Sequence, residues 1–219
     1  MTKNDDTREY NPLDYENLTK SCVEELMRRG PYTLPLEKRF TGPGVYALFY
    51  TGDLPIYQPV RSLDATHPIY VGKAVPAGAR KGLAKVTKGR SLYNRIKQHT
   101  GSIEATASLD VKDFLCRYLI VTPLWITMAE RFLLEHYKPV WNVILDGFGN
   151  HDPGKGRYEG EITWWDALHP GREWATKLRQ TRNAAAAEER LREYFEGKLA
   201  AEIPSEDDEA QEQDSIEEE

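Results

Sequence analysis

From Val71 to Ile103 the chain carries eight Lys or Arg residues (Lys73, Arg80, Lys81, Lys85, Lys88, Arg90, Arg95 and Lys97) and no Asp or Glu. In a protein with 35 acidic residues, such a gap marks a surface that excludes negative charge. A basic face of this kind suits a polyanion, because each phosphate neutralised releases a condensed counterion. Tyr93 and several glycines interleave with the charges, which favours nucleic acid over a plain solvated loop. Arg95 and His99 are four residues apart, on one face of a helix. An Arg can grip a phosphate oxygen through two N–H groups, and a nearby His can exchange a proton with the same centre. Taken alone, that pair reads more simply as a surface Arg and a His near a helix C-terminus.

Other candidates have equally plain structural alternatives. Thr127-Met-Ala-Glu130 fits a capping box, in which Glu130 bonds back to the Thr127 N–H. Glu130 becomes a metal ligand only beside a cation-bridged phosphate. Asn142 can hold a phosphate or satisfy backbone. Tyr46 and Tyr70 lie next to or near glycines in strand-like stretches, where tyrosines are usually packing residues with one polar tip. His151-Asp152 sits in a Gly-rich loop with no second His at ligand spacing.

The elements that must position these groups are legible from pattern. Gly44–Tyr50 (GVYALFY), Ile69–Val71 and Leu115–Val121 are β-rich, and Val140–Leu145 reads as a short terminal strand. Ser91–His99 and Thr127–Tyr137 read as helices, the second closed by Pro139. That order predicts an α+β fold: a small, mostly antiparallel sheet flanked by helices, with N- and C-terminal helical extensions. Leu18–Arg29 is an amphipathic helix stopped by Gly30-Pro31. Asn183 can cap a last helix in which Leu191, Tyr194, Phe195 and Leu199 recur at helical spacing.

The expected organisation follows. An arm with a helix covers 1–39. A core covers 40–146, with an insertion at 51–68 and a basic loop at 73–90. A Gly-rich basic region covers 147–182, a helix 183–201 and an acidic tail 202–219. The formal charge of −6 is misleading. Ten acids and no Lys or Arg fall in 201–219, which leaves residues 1–200 at about +4. The tail is expected to be disordered. Two cysteines in 219 residues exclude a disulfide scaffold or a Cys-based zinc cluster, and suit a reducing cytoplasm. No run is apolar enough to cross a membrane, and the polar N-terminus does not read as a signal peptide.

Five blocks in order then make a known pattern: Gly44-Val45-Tyr46, Ile69-Tyr70-Val71-Gly72-Lys73, Arg95 through His99, Glu130, and Asn142. Together they resemble the GIY-YIG nuclease superfamily over about residues 43–145. The stretches PIYVGKAVPAG, DGFGNH, PGKGR and HPGREWA are further similar to GIY-YIG type II restriction endonucleases of SacII-like specificity, from Arg39 to Ala175.

The resemblance implies a catalytic set of Tyr46, Tyr70, Lys73, Arg95, His99, Glu130 and Asn142. Glu130 would hold one Mg²⁺ per active site. Tyr46 or His99 would be the base, with Lys73 or His99 favouring a Tyr46 phenolate. Tyr70 would touch the same water or phosphate, Arg95 would neutralise developing charge, and Asn142 would support the site. Base or backbone contacts to double-stranded DNA are expected from Arg80, Lys81, Lys85, Lys88, Lys155, Arg157 and Arg172. The implied target is a GC-rich palindrome, CCGCGG, cut by a homodimer whose interface is placed on the N-terminal helix and the 51–68 insertion. A structure-specific or repair nuclease, and a non-catalytic nucleic-acid-binding module, are the competing readings.

Overall fold

In GVYALFY, alternate side chains leave opposite faces of a strand. Tyr46, Leu48 and Tyr50 enter one apolar cluster, and Val45, Ala47 and Phe49 enter another. All seven residues of this strand are buried, so it must be central and covered on both sides. A computed structural model describes residues 11–76, 89–154 and 156–203 and shows that arrangement. The strands are β1 (Tyr32–Thr33), β2 (Gly44–Tyr50), β3 (Tyr70–Ala74) and β4 (Phe114–Ile120). They form one antiparallel sheet in the order β1-β4-β2-β3. The expected α+β class and antiparallel sheet are thus found, and β3 lies at an edge.

Helix α2 (Ser91–Glu104) packs on one face through Leu92, Ile96 and Ile103. Helices α1 (Tyr15–Met27) and α3 (Ile126–Tyr137) cover the other, with Leu26, Ile126, Ala129 and Leu133 in the second cluster. Residues beyond the core add to the α2 face. Phe148, Trp165 of α5 (Trp164–Leu168), and Ala187 and Leu191 of α6 (Ala184–Phe195) all join its cluster. Asn183 caps α6 as expected, its Oδ1 accepting from the Ala186 N–H at 2.9 Å.

One expected strand is a helix. Val140–Leu145 is rich in β-branched residues, yet Val140–Val143 forms the single turn α4, entered through Pro139. Tertiary contacts override propensity here. The turn buries Val140, Trp141 and Ile144 in the core and lets the Trp141 N–H donate to the Ile69 carbonyl at 3.0 Å.

The 51–68 segment is anchored from inside. Tyr57 is fully buried. Its hydroxyl accepts from Trp141 Nε1 at 2.9 Å and is hydrogen-bonded to His169 Nε2 at 2.5 Å. The other ring nitrogen of His169, Nδ1, is hydrogen-bonded to Ser108 Oγ at 2.8 Å. The acidic tail from residue 204 onward lies outside the described residues. Among the described residues, no helix is long and apolar enough to cross a membrane.

Candidate active site

The sheet register decides which groups can meet. Tyr46 pairs with Gly72, and Val45 with Lys73. Tyr46 and Tyr70 therefore share the α2 face, their ring centroids 6.1 Å apart, while Lys73 projects toward α3. Helix α2 brings Arg95 and His99 to the tyrosines. Both are buried, at 6 % and 1 % exposure, so the surface-Arg and helix-end-His reading does not hold. The His99 ring stacks on Phe148 at 4.4 Å and meets the Tyr70 ring edge-on at 5.2 Å.

Glu130 sits on the buried side of α3, whose N-terminus lies at Ile126, so Thr127 is not its cap and no capping box forms. Instead Lys73 Nζ lies 2.5 Å from Glu130 Oε2, both side chains being 8 % exposed. Lys73 is thus the partner of Glu130 rather than of a Tyr46 phenolate. Asn142 clamps the outer edge of β3. Its Oδ1 accepts from the Val71 N–H and its Nδ2 donates to the Val71 carbonyl, each at 2.8 Å.

The two faces come together at this edge. A cavity of about 1000 Å³ is lined by Tyr70, Val71, Glu130 and Asn142, and also by His151 and Arg157. Tyr70 and Glu130 start from opposite faces of the sheet and open onto one space. Tyr46 does not line it and is fully buried behind Tyr70.

Burial also sets the protonation states. It pushes the Tyr46 phenol well above its ordinary value, only partly offset by the Arg95 charge. It holds His99 well below the usual imidazole range, with Arg95 adding to the shift. Burial, then Arg95 and Arg172, bring His151 down to about 4, and burial brings His169 down to about 3.

These three imidazoles make stability depend on pH. Each has a lower pKa folded than unfolded, so the native state binds fewer protons below about pH 6.5. Their contribution is complete above that value and is lost as pH falls through the window toward 4 and 3. Urea unfolding should therefore show stability falling as pH drops below about 6.5 toward about 4, by up to about 1.4 kcal/mol per pH unit for each histidine. A flat profile would contradict the buried, neutral histidines.

Gly72 is required by close approach. A Cβ there would lie 2.5 Å from the Tyr46 hydroxyl and 3.0 Å from the Tyr70 ring. Gly72→Ala is expected to displace both phenols and to cost about 1–3 kcal/mol, the usual toll of overpacking, with a matching loss of activity. Thermal unfolding and a cleavage assay check it.

The expected DNA contacts divide. Arg80, Lys81, Lys85, Lys88 and Lys155 lie outside the described residues. Arg157 is exposed and lines the cavity. Arg172 is a correction: it is 5 % exposed and cannot reach a base edge. Its Nη2 pairs with Asp166 Oδ2 at 2.6 Å, and its Nε donates to Asp166 Oδ1 at 2.7 Å. It lies between the rings of Trp165 and Trp174, at 4.7 and 4.6 Å.

Sequence reasoning missed two pairings. One is Lys73 with Glu130, which meet because the β3 register turns Lys73 to the face on which α3 packs. The other is His151, whose Nε2 contacts Arg95 Nη1 across 56 residues of chain. The sole signal for His151 was its place in the Gly-rich stretch DGFGNH.

A family model described as the Eco29kI GIY-YIG domain matches residues 38–195, well over half of the chain. No curated protein matches the chain. The match spans β2, β3, α2, α3 and the Asn142 clamp, and runs on through the segment that buries Arg172. The chain belongs to the Eco29kI GIY-YIG family of nuclease domains.

Proposed function

We propose that the protein is a type II restriction endonuclease that hydrolyses double-stranded DNA at a GC-rich palindrome, CCGCGG, using one Mg²⁺ per active site. The observation that carries this reading is the cavity at the β3 edge, where Tyr70, Glu130 and Asn142 converge. Phosphodiester hydrolysis needs an oriented water, a proton acceptor and fixed positive charge near the phosphoryl oxygens. Tyr70 reaches the cavity and orients the water. Its neighbours Arg95 and His99 supply the charge and the proton acceptor.

Neither candidate base lines the cavity, and His99, 1 % exposed, reaches it only through its edge-on contact with Tyr70; the proton is assigned to His99 on its protonation state. Burial keeps it neutral, so it carries a lone pair at neutral pH, whereas the Tyr46 phenol holds its proton more tightly than usual. Tyr46 then acts from behind, as a packing partner of Tyr70. One P–O bond forms to the water oxygen and one breaks. The water proton passes to His99, and the leaving oxygen is protonated from solvent.

The residues present fit a hard, hydrated divalent cation. Among the described residues there is no cluster of three metal-ligating side chains, but Glu130 offers one carboxylate to the cavity. That suits Mg²⁺, which keeps most of its waters and binds through one or two carboxylates and a phosphate. When bound, it supplies Lewis-acid stabilisation of the phosphoryl oxygens. Lys73 fixes the Glu130 carboxylate in place. Cutting both strands of a palindrome calls for a two-fold homodimer.

Plasmids with and without CCGCGG, incubated with the protein in Mg²⁺ and in EDTA, test this reading. Discrete fragments ending at CCGCGG, formed only with the cation, are expected. Uncut plasmid alongside cleaved branched DNA would overturn it in favour of a structure-specific nuclease.

A further inference from the structure

The Gly-rich segment after α4 is tied to Arg95 in an unexpected way. Arg95 Nη2 donates to the Gly149 carbonyl at 3.0 Å, and Nη1 meets His151 Nε2. Both contacts come from one short loop. That loop is itself held from below by Arg172, whose Nη1 donates to the carbonyls of Phe148 at 3.1 Å and Asn150 at 2.9 Å. Arg172 Nη2 adds a bond to the Gly147 carbonyl at 2.7 Å, and Asp166 fixes the Arg172 fork from the other side. The turn at Gly147 has φ +98°, and a Cβ there would fall 2.2 Å from Thr163, so the loop has little room to shift.

We propose that His151 is a positioning residue for Arg95. The loop Gly147–His151, locked by Arg172, aims the Arg95 guanidinium at the phosphate through an acceptor nitrogen on His151. An arginine has five donors and no acceptor, so a neutral imidazole nitrogen and a carbonyl are the partners that can orient it without cancelling its charge. A carboxylate at position 151 would orient it too but would neutralise it. The surroundings keep the imidazole in the required form, since burial and two guanidinium charges hold His151 down to about 4. With Nε2 facing a donor, the ring proton sits on Nδ1. His151 also lines the cavity, so the same ring that steers Arg95 borders the space where the phosphate would lie.

This inference rests on Arg95 acting at the scissile phosphate, and the test separates the two. The probe is a supercoiled plasmid carrying CCGCGG, cleaved in Mg²⁺ by the full chain. His151→Phe keeps the ring shape without the acceptor. His151→Gln places an amide oxygen near the Nε2 position. His151→Phe is expected to lower kcat by at least about 10-fold, the scale of a misaligned catalytic group. KM should stay within about 2-fold and the unfolding midpoint within about 3 °C, because DNA binding and folding are not the defect. His151→Gln should bring kcat back to within about 3-fold of the parent by restoring the acceptor.

Equal kcat in all three proteins, or equal loss in both variants, would overturn the inference. So would a His151→Phe loss confined to KM. Arg95→Ala serves as the control. If Arg95→Ala cleaves at the parent rate, the catalytic reading of Arg95 fails. If Arg95→Ala is inactive while His151→Phe is fully active, only the positioning role fails. Imidazole ¹⁵N spectra give a readout apart from cleavage: His151 should show a bare Nε2 and a protonated Nδ1 near neutral pH, and the reverse tautomer would overturn the inference.

Discussion

Glu130→Gln is expected to lower cleavage by about 10³-fold or more while DNA affinity, measured without Mg²⁺, stays within about 3-fold. Glu130 is the buried one of four acidic residues that line the cavity, the others being the exposed Asp146, Glu161 and Glu202, and among the described residues no three ligating side chains cluster. On the proposed single-cation reading, removing its charge weakens the hold on the cation and the charge stabilisation the cation would supply. The substitution also removes the carboxylate charge 2.5 Å from the Lys73 ammonium. Breaking a buried pair on one side costs about 3–5 kcal/mol, so folding must be checked by circular dichroism and urea unfolding. Lys73→Met with Glu130→Gln removes both charges of the pair and should recover part of the stability but not activity. Cleavage by a folded Glu130→Gln protein at more than a tenth of the parent rate would refute the cation assignment.

Arg172→Ala is expected to cost about 3–5 kcal/mol of stability, read as a lower urea midpoint. Four side-chain and carbonyl partners converge on this guanidinium, and two indole rings enclose it. Its removal leaves the Asp166 carboxylate, 1 % exposed, as a buried unpaired charge. Arg172→Ala combined with Asp166→Ala should recover part of the loss, since neither charge is then orphaned. A destabilisation under about 1 kcal/mol would be the behaviour of an exposed ion pair and would contradict the burial described. The same substitution would have little effect on folding if Arg172 were a DNA-reading residue at the surface.

Several parts of this molecule could be read from its residues because they depend on local pattern. GVYALFY alternates into two clusters and can only be a central strand. Asn183 caps its helix through a bond to a residue three positions on. The i, i+4 spacing of Arg95 and His99 places them on one helix face regardless of context. Other parts depend on what is far away in the chain. Val140–Leu145 has strand residues but becomes a turn of helix, in which Asn142 bonds Val71 of β3 and the Trp141 N–H bonds Ile69 just before that strand. Arg172 and Arg157 look alike as basic residues beside glycines, and only three-dimensional burial separates a structural arginine from an exposed one. His151 carries no spacing relation to Arg95, so its contact has no signature in a single sequence.

Asn142 has a consequence for how the molecule behaves among its copies. An outer strand with open N–H and C=O groups is a template for another chain, and proteins must guard such strands against pairing and aggregation. Here a single carboxamide imitates an adjoining strand at Val71, donating once and accepting once. The sheet can therefore stop beside a water-accessible hollow without inviting a stranger's backbone into it. The same amide that lines the cavity closes the outer edge of the sheet at Val71.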